Sequence, residues 1–202
     1  MASVRSKGIT DQHVLAAMSA IPRHFFLEKA FEEWAYQDKA FPIGNDQTIS
    51  QPFTVAYQTQ LLNIKKRDTV MEIGTGSGYQ AAILAELGAR VYTIERQELL
   101  HIRAKKLLKA MGYGGIRFYF RDGYKGLAEF APFAKIIVTA GAPDIPEALK
   151  MQLKIDGCLV IPVGGREGQK MMRITRTSEK HFKKEVFDSF RFVPFLKGVN
   201  RE

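Results

Sequence analysis

The chain has 202 residues, 46% of them hydrophobic, with 30 Lys and Arg against 21 Asp and Glu, a formal net charge of +9. That is enough apolar material for one domain with a sizeable core. No apolar run reaches the roughly 20 residues that span a bilayer, and no basic N-terminal stretch leads into an apolar one, so neither a membrane anchor nor a signal peptide is expected. The single cysteine, Cys158 in "GCLVIPVG", cannot close an internal disulfide and reads as inert core filling. The four histidines (His13, His24, His101, His181) have no metal-ligand spacing, so no metal site is assigned. A reducing cytoplasm fits these features. The cations gather in "RAKKLLK" (103–109) and at Lys170, Arg173, Arg176, Lys180, Lys183 and Lys184. They read as solvated faces of a helix and of edge strands.

In chain order, residues 1–67 read as helices and a long loop. "TDQHVLAAMSAI" has apolar residues at helical spacing, with Thr10 as the N-cap candidate. "YQDKAFPIGNDQTISQP" is rich in turn formers and reads as a loop, and a loop of that length inside a compact domain is usually functional. "FTVAYQTQLLNI" resumes a helix, with Pro52 in the first turn, where its missing N–H is harmless. From Asp68 onward strands alternate with helices: strand "TVMEIG", helix "YQAAILAELG" stopped by Gly88, strand "RVYTIE", helix 97–111, strands "IRFYF" and "AKIIVTA", helix "PEALKMQL" and strand "GCLVIPV". "KMMRITRT" and "HFKKEVFDSFRFV" then look like longer strands close in sequence, which predicts an antiparallel edge. The pattern predicts an α/β fold of Rossmann-like type: a mostly parallel, doubly wound sheet with an antiparallel C-terminal edge and an N-terminal helical segment. It is read as a single domain over 1–202, with helices and an active-site loop at 1–67 and the core at 68–202.

The stretch "VMEIGTGSGYQAAILAELGARVYTIER" is the shape of a nucleotide-binding βαβ unit. Gly74 and Gly76 fit G-x-G-x-x-G, but Tyr79 stands at the third position and the next glycine, Gly78, comes one residue early. Glu72, two residues before the loop, opposes a pyrophosphate and suits a ligand carrying an ammonium and a sulfonium. Glu95 ends the second strand about 20 residues after the loop, where an acid accepts from ribose hydroxyls. Asp122 ends the third strand, where it could accept from an adenine amino group, with Gly123 letting the backbone approach. Thr75 and Ser77 in the loop could reach a methionine portion. These residues, with Arg96 beside Glu95, point to S-adenosylmethionine, leaving S-adenosylhomocysteine as product. An NAD-dependent oxidoreductase is the weak rival, disfavoured by Tyr79 and Glu72.

The sequence resembles the protein-L-isoaspartate O-methyltransferases over nearly its whole length. The resemblance rests on "PRHFF" (22–26), "AYQDKAFPIG" (35–44), "QTISQP" (47–52), "VMEIGTGSGYQAA" (70–82), "DGYKG" (122–126), "IIVTAGAPDIPEAL" (136–149), "GCLVIPVG" (157–164) and "FVPFLKG" (192–198). The glycine loop is common to many methyltransferases, whereas "TISQP" joined to the upstream "AYQD…PIG" is specific to this family. The resemblance implies methyl transfer from S-adenosylmethionine to the side-chain carboxylate of L-isoaspartyl residues in damaged proteins, followed by closure to a succinimide and partial repair. It implies a cytoplasmic enzyme, often monomeric, with isoaspartyl proteins and peptides as partners and neither membrane nor nucleic acid. Three places depart from the family pattern. "PIGNDQT" has Asn45 and Asp46 in a stretch that is usually glycine-rich, "FAKII" has Ala134 and Lys135 where an aspartate is usual, and "RDG" has Arg121 for glycine.

A carboxylic acid with a pKa of about 4 is ionised at neutral pH, so the acceptor needs no base, only orientation and exclusion of water. Hydroxyls and main-chain N–H groups are therefore expected in place of a His–Asp pair. The resemblance makes Ser50 the catalytic residue, read here as a hydroxyl that orients the acceptor, against the plainer reading that it caps the following helix. Thr48, Ile49 and Ser50 are placed beside the cofactor, and main chain near Val193 is expected to bind the isoaspartyl segment as a strand. The alternatives are a methyltransferase acting on RNA or a small molecule, and a cofactor-binding homologue without catalysis. The net charge favours the first, but no basic motif with stacking aromatics supports it.

Overall fold

The computed structural model describes residues 2–201. Helices α1 (Ala2–Ser6) and α2 (Gln12–Ala20) open the chain. The N-cap of α2 is Asp11 and not Thr10: the Asp11 carboxylate accepts from the N–H groups of His13 and Val14, while the Thr10 N–H donates to Gln60 Oε1. One carboxylate satisfies two orphan donors and also meets the positive end of the helix dipole, which a hydroxyl one residue earlier does less well.

Two 3-10 turns follow, Arg23–Phe26 and Lys29–Trp34. The stretch read as a loop then contains a hairpin, β1 (Phe41–Gly44) against β2 (Gln47–Ile49). Asn45 and Asp46 turn it with φ of 52° and 54°, the double positive φ of a type I′ turn. Helix α3 (Pro52–Leu62) begins with Pro52 at its first position, as expected.

The remaining strands and α-helices are β3 (Thr69–Ile73), α4 (Tyr79–Glu86), β4 (Arg90–Glu95), α5 (Glu98–Ala110), β5 (Arg117–Phe120), β6 (Phe133–Val138), α6 (Glu147–Met151), β7 (Leu153–Gly165), β8 (Gly168–Arg176) and β9 (Phe182–Phe190), with two further 3-10 turns at Gly123–Lys125 and Ala128–Phe130. They build a seven-stranded sheet in the order β5-β4-β3-β6-β7-β8-β9. The pairings from β5 through β7 are parallel, and β7-β8-β9 is antiparallel, the predicted edge. Strand alternation sorts the core. Val70 and Ile137 join the cluster that packs on α2 to α5, while Met71, Ile73, Ile136 and Val138 join a second cluster with Leu149 of α6. Successive strands run outward from β3 to β5, then resume on its other side at β6. The carboxyl ends of β3 and β6 therefore flank a topological switch point, where ligands bind in open α/β sheets.

Of the cations read as solvated, those of 103–109 and Lys170, Lys180, Lys183 and Lys184 are exposed. Two others brace the sheet instead. Arg173 pairs with Glu185 and donates to the Leu61 carbonyl, and Arg176 donates to the carbonyls of Met151 and Leu153. Among the described residues no helix is long and apolar enough to cross a membrane.

Candidate active site

Three cavities meet at the carboxyl edge of the sheet. The first, of about 610 Å³, is lined by Thr48, Gly74, Gly76, Glu95, Arg96 and Gly123 among others. A narrower one, of about 380 Å³, lies between Ile49, Ser50, Thr75, Ser77 and Gln80. The third is an open groove of about 1640 Å³ beside Ser50, Phe53, Phe190 and Val193. Thr48 and Thr139 line all three, and Ser50 lines the narrow cavity and the groove.

The glycine loop owes its shape to close approach. Gly74 has a φ of 96°, and a Cβ there would meet Thr139 Oγ1 at 2.4 Å; one at Gly78 would meet Leu108 Cδ1 at 2.8 Å. Gly78 therefore seats α4 against α5 and lines none of these three cavities. Glu95 is 5% exposed. Its Oε2 accepts from the Gly76 N–H at 2.8 Å, and its Oε1 accepts from the N–H groups of Arg96 and Gln97. Burial raises its pKa against these bonds, which lower it. One lone pair on Oε2 is left for a ligand hydroxyl.

Glu72 is fully buried behind the loop. Its Oε2 accepts from Thr93 Oγ1, which also bonds Thr75 Oγ1 at 2.6 Å. Its Oε1 has no hydrogen-bond partner among the described residues, and neither has Gln80 Oε1. Desolvation by burial pushes the Glu72 pKa up to about 8, although the Thr93 bond works the other way. Asp122 does not line the first cleft. Its Oδ1 caps the turn at Tyr124 N and its Oδ2 accepts from Gly198 N at 2.9 Å. It thus fastens the C-terminal segment, whose Gly198 carbonyl accepts from Arg96 Nε and whose Asn200 N–H donates to the Arg96 carbonyl. That segment brings Phe195 into the cleft wall, stacked on Tyr124 with ring centroids 4.0 Å apart.

Ser50 is not a cap. The N-cap of α3 is Gln51, which makes no side-chain cap bond, and the Phe53 N–H is taken by Asp38 Oδ1 at 2.8 Å. The Ser50 hydroxyl has no hydrogen bond among the described residues, so its proton is available to a ligand. The Val193 carbonyl is already taken by the Gly141 N–H at 2.8 Å, which leaves its N–H for a docked strand. The sequence reading missed several lining residues, Gln80, Thr139 and Phe195 among them. Thr139 directly follows β6, as Gly74 follows β3, and that position was the available signal. Phe195 lies in a quoted motif, but its contact with Tyr124 has no local signature.

The site fits S-adenosylmethionine. Glu72 Oε1 and Gln80 Oε1 are buried acceptors without donors among the described residues, a setting suited to an ammonium, and two acidic side chains by the glycine loop suit a cation better than a pyrophosphate. The fold and these residues define an S-adenosylmethionine-dependent methyltransferase. Residues 1–200 match the family described as Protein-L-isoaspartate(D-aspartate) O-methyltransferase, and the chain belongs to that family. It is 56% identical over 198 residues to the protein-L-isoaspartate O-methyltransferase of Christiangramia forsetii, covering 98% of this chain and 92% of that one. It is also 56% identical to that of Flavobacterium psychrophilum, with the same coverage. Among solved structures, a protein-L-isoaspartate O-methyltransferase superposes with a TM-score of 0.85 at 27% identity, over 95% of this chain and 63% of that longer one. A Plasmodium falciparum protein, described as a putative member in complex with S-adenosyl-L-homocysteine, shares the fold with a TM-score of 0.84 at 23% identity, over 96% of this chain and 95% of that one.

Proposed function

We propose that this protein transfers a methyl group from S-adenosylmethionine to the free carboxylate of L-isoaspartyl residues in damaged proteins, the ester then closing to a succinimide and starting repair. The observation that carries the mechanism is the Ser50 hydroxyl, unbonded among the described residues at the edge where the narrow cavity opens into the groove. Bound S-adenosylmethionine supplies the methyl group as an electrophile. Glu72, Gln80, Thr75 and Ser77 would hold its methionine end, and Glu95, with Gly74 and Gly76, its ribose. Ile49, Arg96 and Gly123 would complete the wall. Asp122 acts on this site through the C-terminal segment it fastens.

The acceptor carboxylate arrives ionised, so no residue need take a proton. Ser50 donates a hydrogen bond to one carboxylate oxygen and turns the other toward the methyl group; Thr48, at the same junction, narrows the approach and limits water. The Val193 N–H gives the peptide one main-chain anchor in the groove, beside the rings of Phe53 and Phe190. We further take the chain to be one domain, acting as a monomer in the cytoplasm, with isoaspartyl proteins as its partners and not nucleic acid. Its lone cysteine, which can form no disulfide within the chain, is consistent with a reducing compartment.

The test is transfer of labelled methyl to paired peptides that differ only in isoaspartate or aspartate at one position. Base-labile label on the isoaspartyl peptide alone is expected; equal label on both, or none on either, would overturn the reading. Ser50→Ala should lower kcat by about 100-fold, the scale of one oriented donor, with S-adenosylhomocysteine affinity within about 2-fold by calorimetry. Equal losses in both would count against the role given to Ser50.

A further inference from the structure

Arg23 is 2% exposed; among the described residues no carboxylate lies within ion-pair distance of it, Asp38 attracting it only from farther off, and its Nη1 has no hydrogen-bond partner. Burying a charge without a contacting counter-ion is costly, so its retention calls for a reason. Its Nε donates to the Ala35 carbonyl at 2.9 Å, and its Nη2 donates to the Ser50 carbonyl at 2.8 Å. The guanidinium lies over the Tyr79 ring, 4.9 Å from its centroid. Tyr79 opens α4 directly after the glycine loop.

Ala35 and Ser50 bracket the segment that carries β1 and β2, with Thr48 near its end. A single planar fork thus holds both ends of that segment together and seats them on the first residue of α4. The main chain of Ser50 is fixed from behind while its hydroxyl stays free. Ala35 itself is fully buried, so the clamp closes on a packed anchor.

We propose that Arg23 is a positioning residue for methyl transfer, setting where Ser50 presents its hydroxyl relative to the cofactor loop. The inference rests on the role given to Ser50 above. Lysine keeps the charge but is a point donor, and cannot span two carbonyls in fixed directions. Displacement of a reacting group by about 1 Å can cost on the order of 100-fold in rate.

The test compares Arg23→Lys, Ser50→Ala and the double variant, with kcat measured on an isoaspartyl peptide and S-adenosylhomocysteine affinity measured by calorimetry well below the melting temperature. Arg23→Lys should lower kcat by about 10- to 100-fold while affinity stays within about 2-fold. The double variant should be no slower than Ser50→Ala alone, because residues acting as one unit are not additive. Multiplied losses in the double variant, or a loss of affinity as large as the loss of kcat, would overturn the role of Arg23 and leave that of Ser50 standing. A fully active Ser50→Ala would overturn both. Should Arg23→Lys not fold, Arg23→Met, an apolar chain of similar length, carries the same comparison.

Discussion

Glu72 shows what a single buried acid does to this protein. It lies behind the glycine loop at zero exposure, with one oxygen unpartnered among the described residues, and burial raises its pKa from 4.5 to about 8. In the unfolded chain it ionises near 4.5, so between that pH and about 8 the folded state holds a proton that the unfolded state has released. Its contribution is therefore fully present below about 4.5 and is lost as pH rises through about 8. The ligand-free thermal midpoint should accordingly fall between pH 5 and pH 8.5 more steeply in the native protein than in Glu72→Gln, and the variant should bind S-adenosylhomocysteine more weakly. Parallel melting curves from the two proteins would sink this account. The placement of Glu72 and Glu95 was legible in sequence, because distance from the glycine loop fixes it. The partners of Asp122 were not: its Oδ2 is held by Gly198, 76 residues away, and no local pattern carries such a contact.

Among the elements, the β1–β2 hairpin is the least expected. Its strands have four and three residues, too short for a period of two to stand out from a run of turn formers. Its turn places Asp46 at a φ of 54°, where an L-residue is strained and glycine is not. Asp46→Gly should therefore stabilise the protein by about 0.5–1 kcal/mol, or about 2 °C in Tm for a chain of this size. An unchanged or lower Tm in a thermal melt would mean that the side chain earns its place through contacts or charge. Elsewhere sequence and structure agree closely: "RVYTIE" and β4 coincide, and helix 97–111 differs from α5 by one residue at each end. Strand β7 starts earlier than the apolar run of "GCLVIPV" suggested. Pairing of Leu153 with Phe133 extends the ladder past exposed Lys154, Ile155 and Asp156, with Asp156 at a φ of 65°. Tertiary pairing outweighed the local signal there.

For the molecule as a whole, the alternation of strands and helices made the sheet readable, while the way residues 1–67 close one side of the site was not. That closure depends on Arg23, Asp38 and Gln60 reaching main chain 12 to 50 residues distant. Its result is the meeting of three cavities, in which the first cleft and the open groove have Thr48 and Thr139 in common among the described residues and are otherwise walled by different ones. With S-adenosylmethionine in the cleft and the peptide in the groove, as proposed, neither reactant need wait for the other. Either can bind to the empty protein, and either product can depart while the other stays. Initial rates should therefore follow a random sequential scheme, and a peptide analogue with a carboxamide in place of the acceptor carboxylate should inhibit noncompetitively against S-adenosylmethionine. Uncompetitive inhibition would mean that the groove forms only after the cofactor is in place, making the order of arrival a property of closure and not of access.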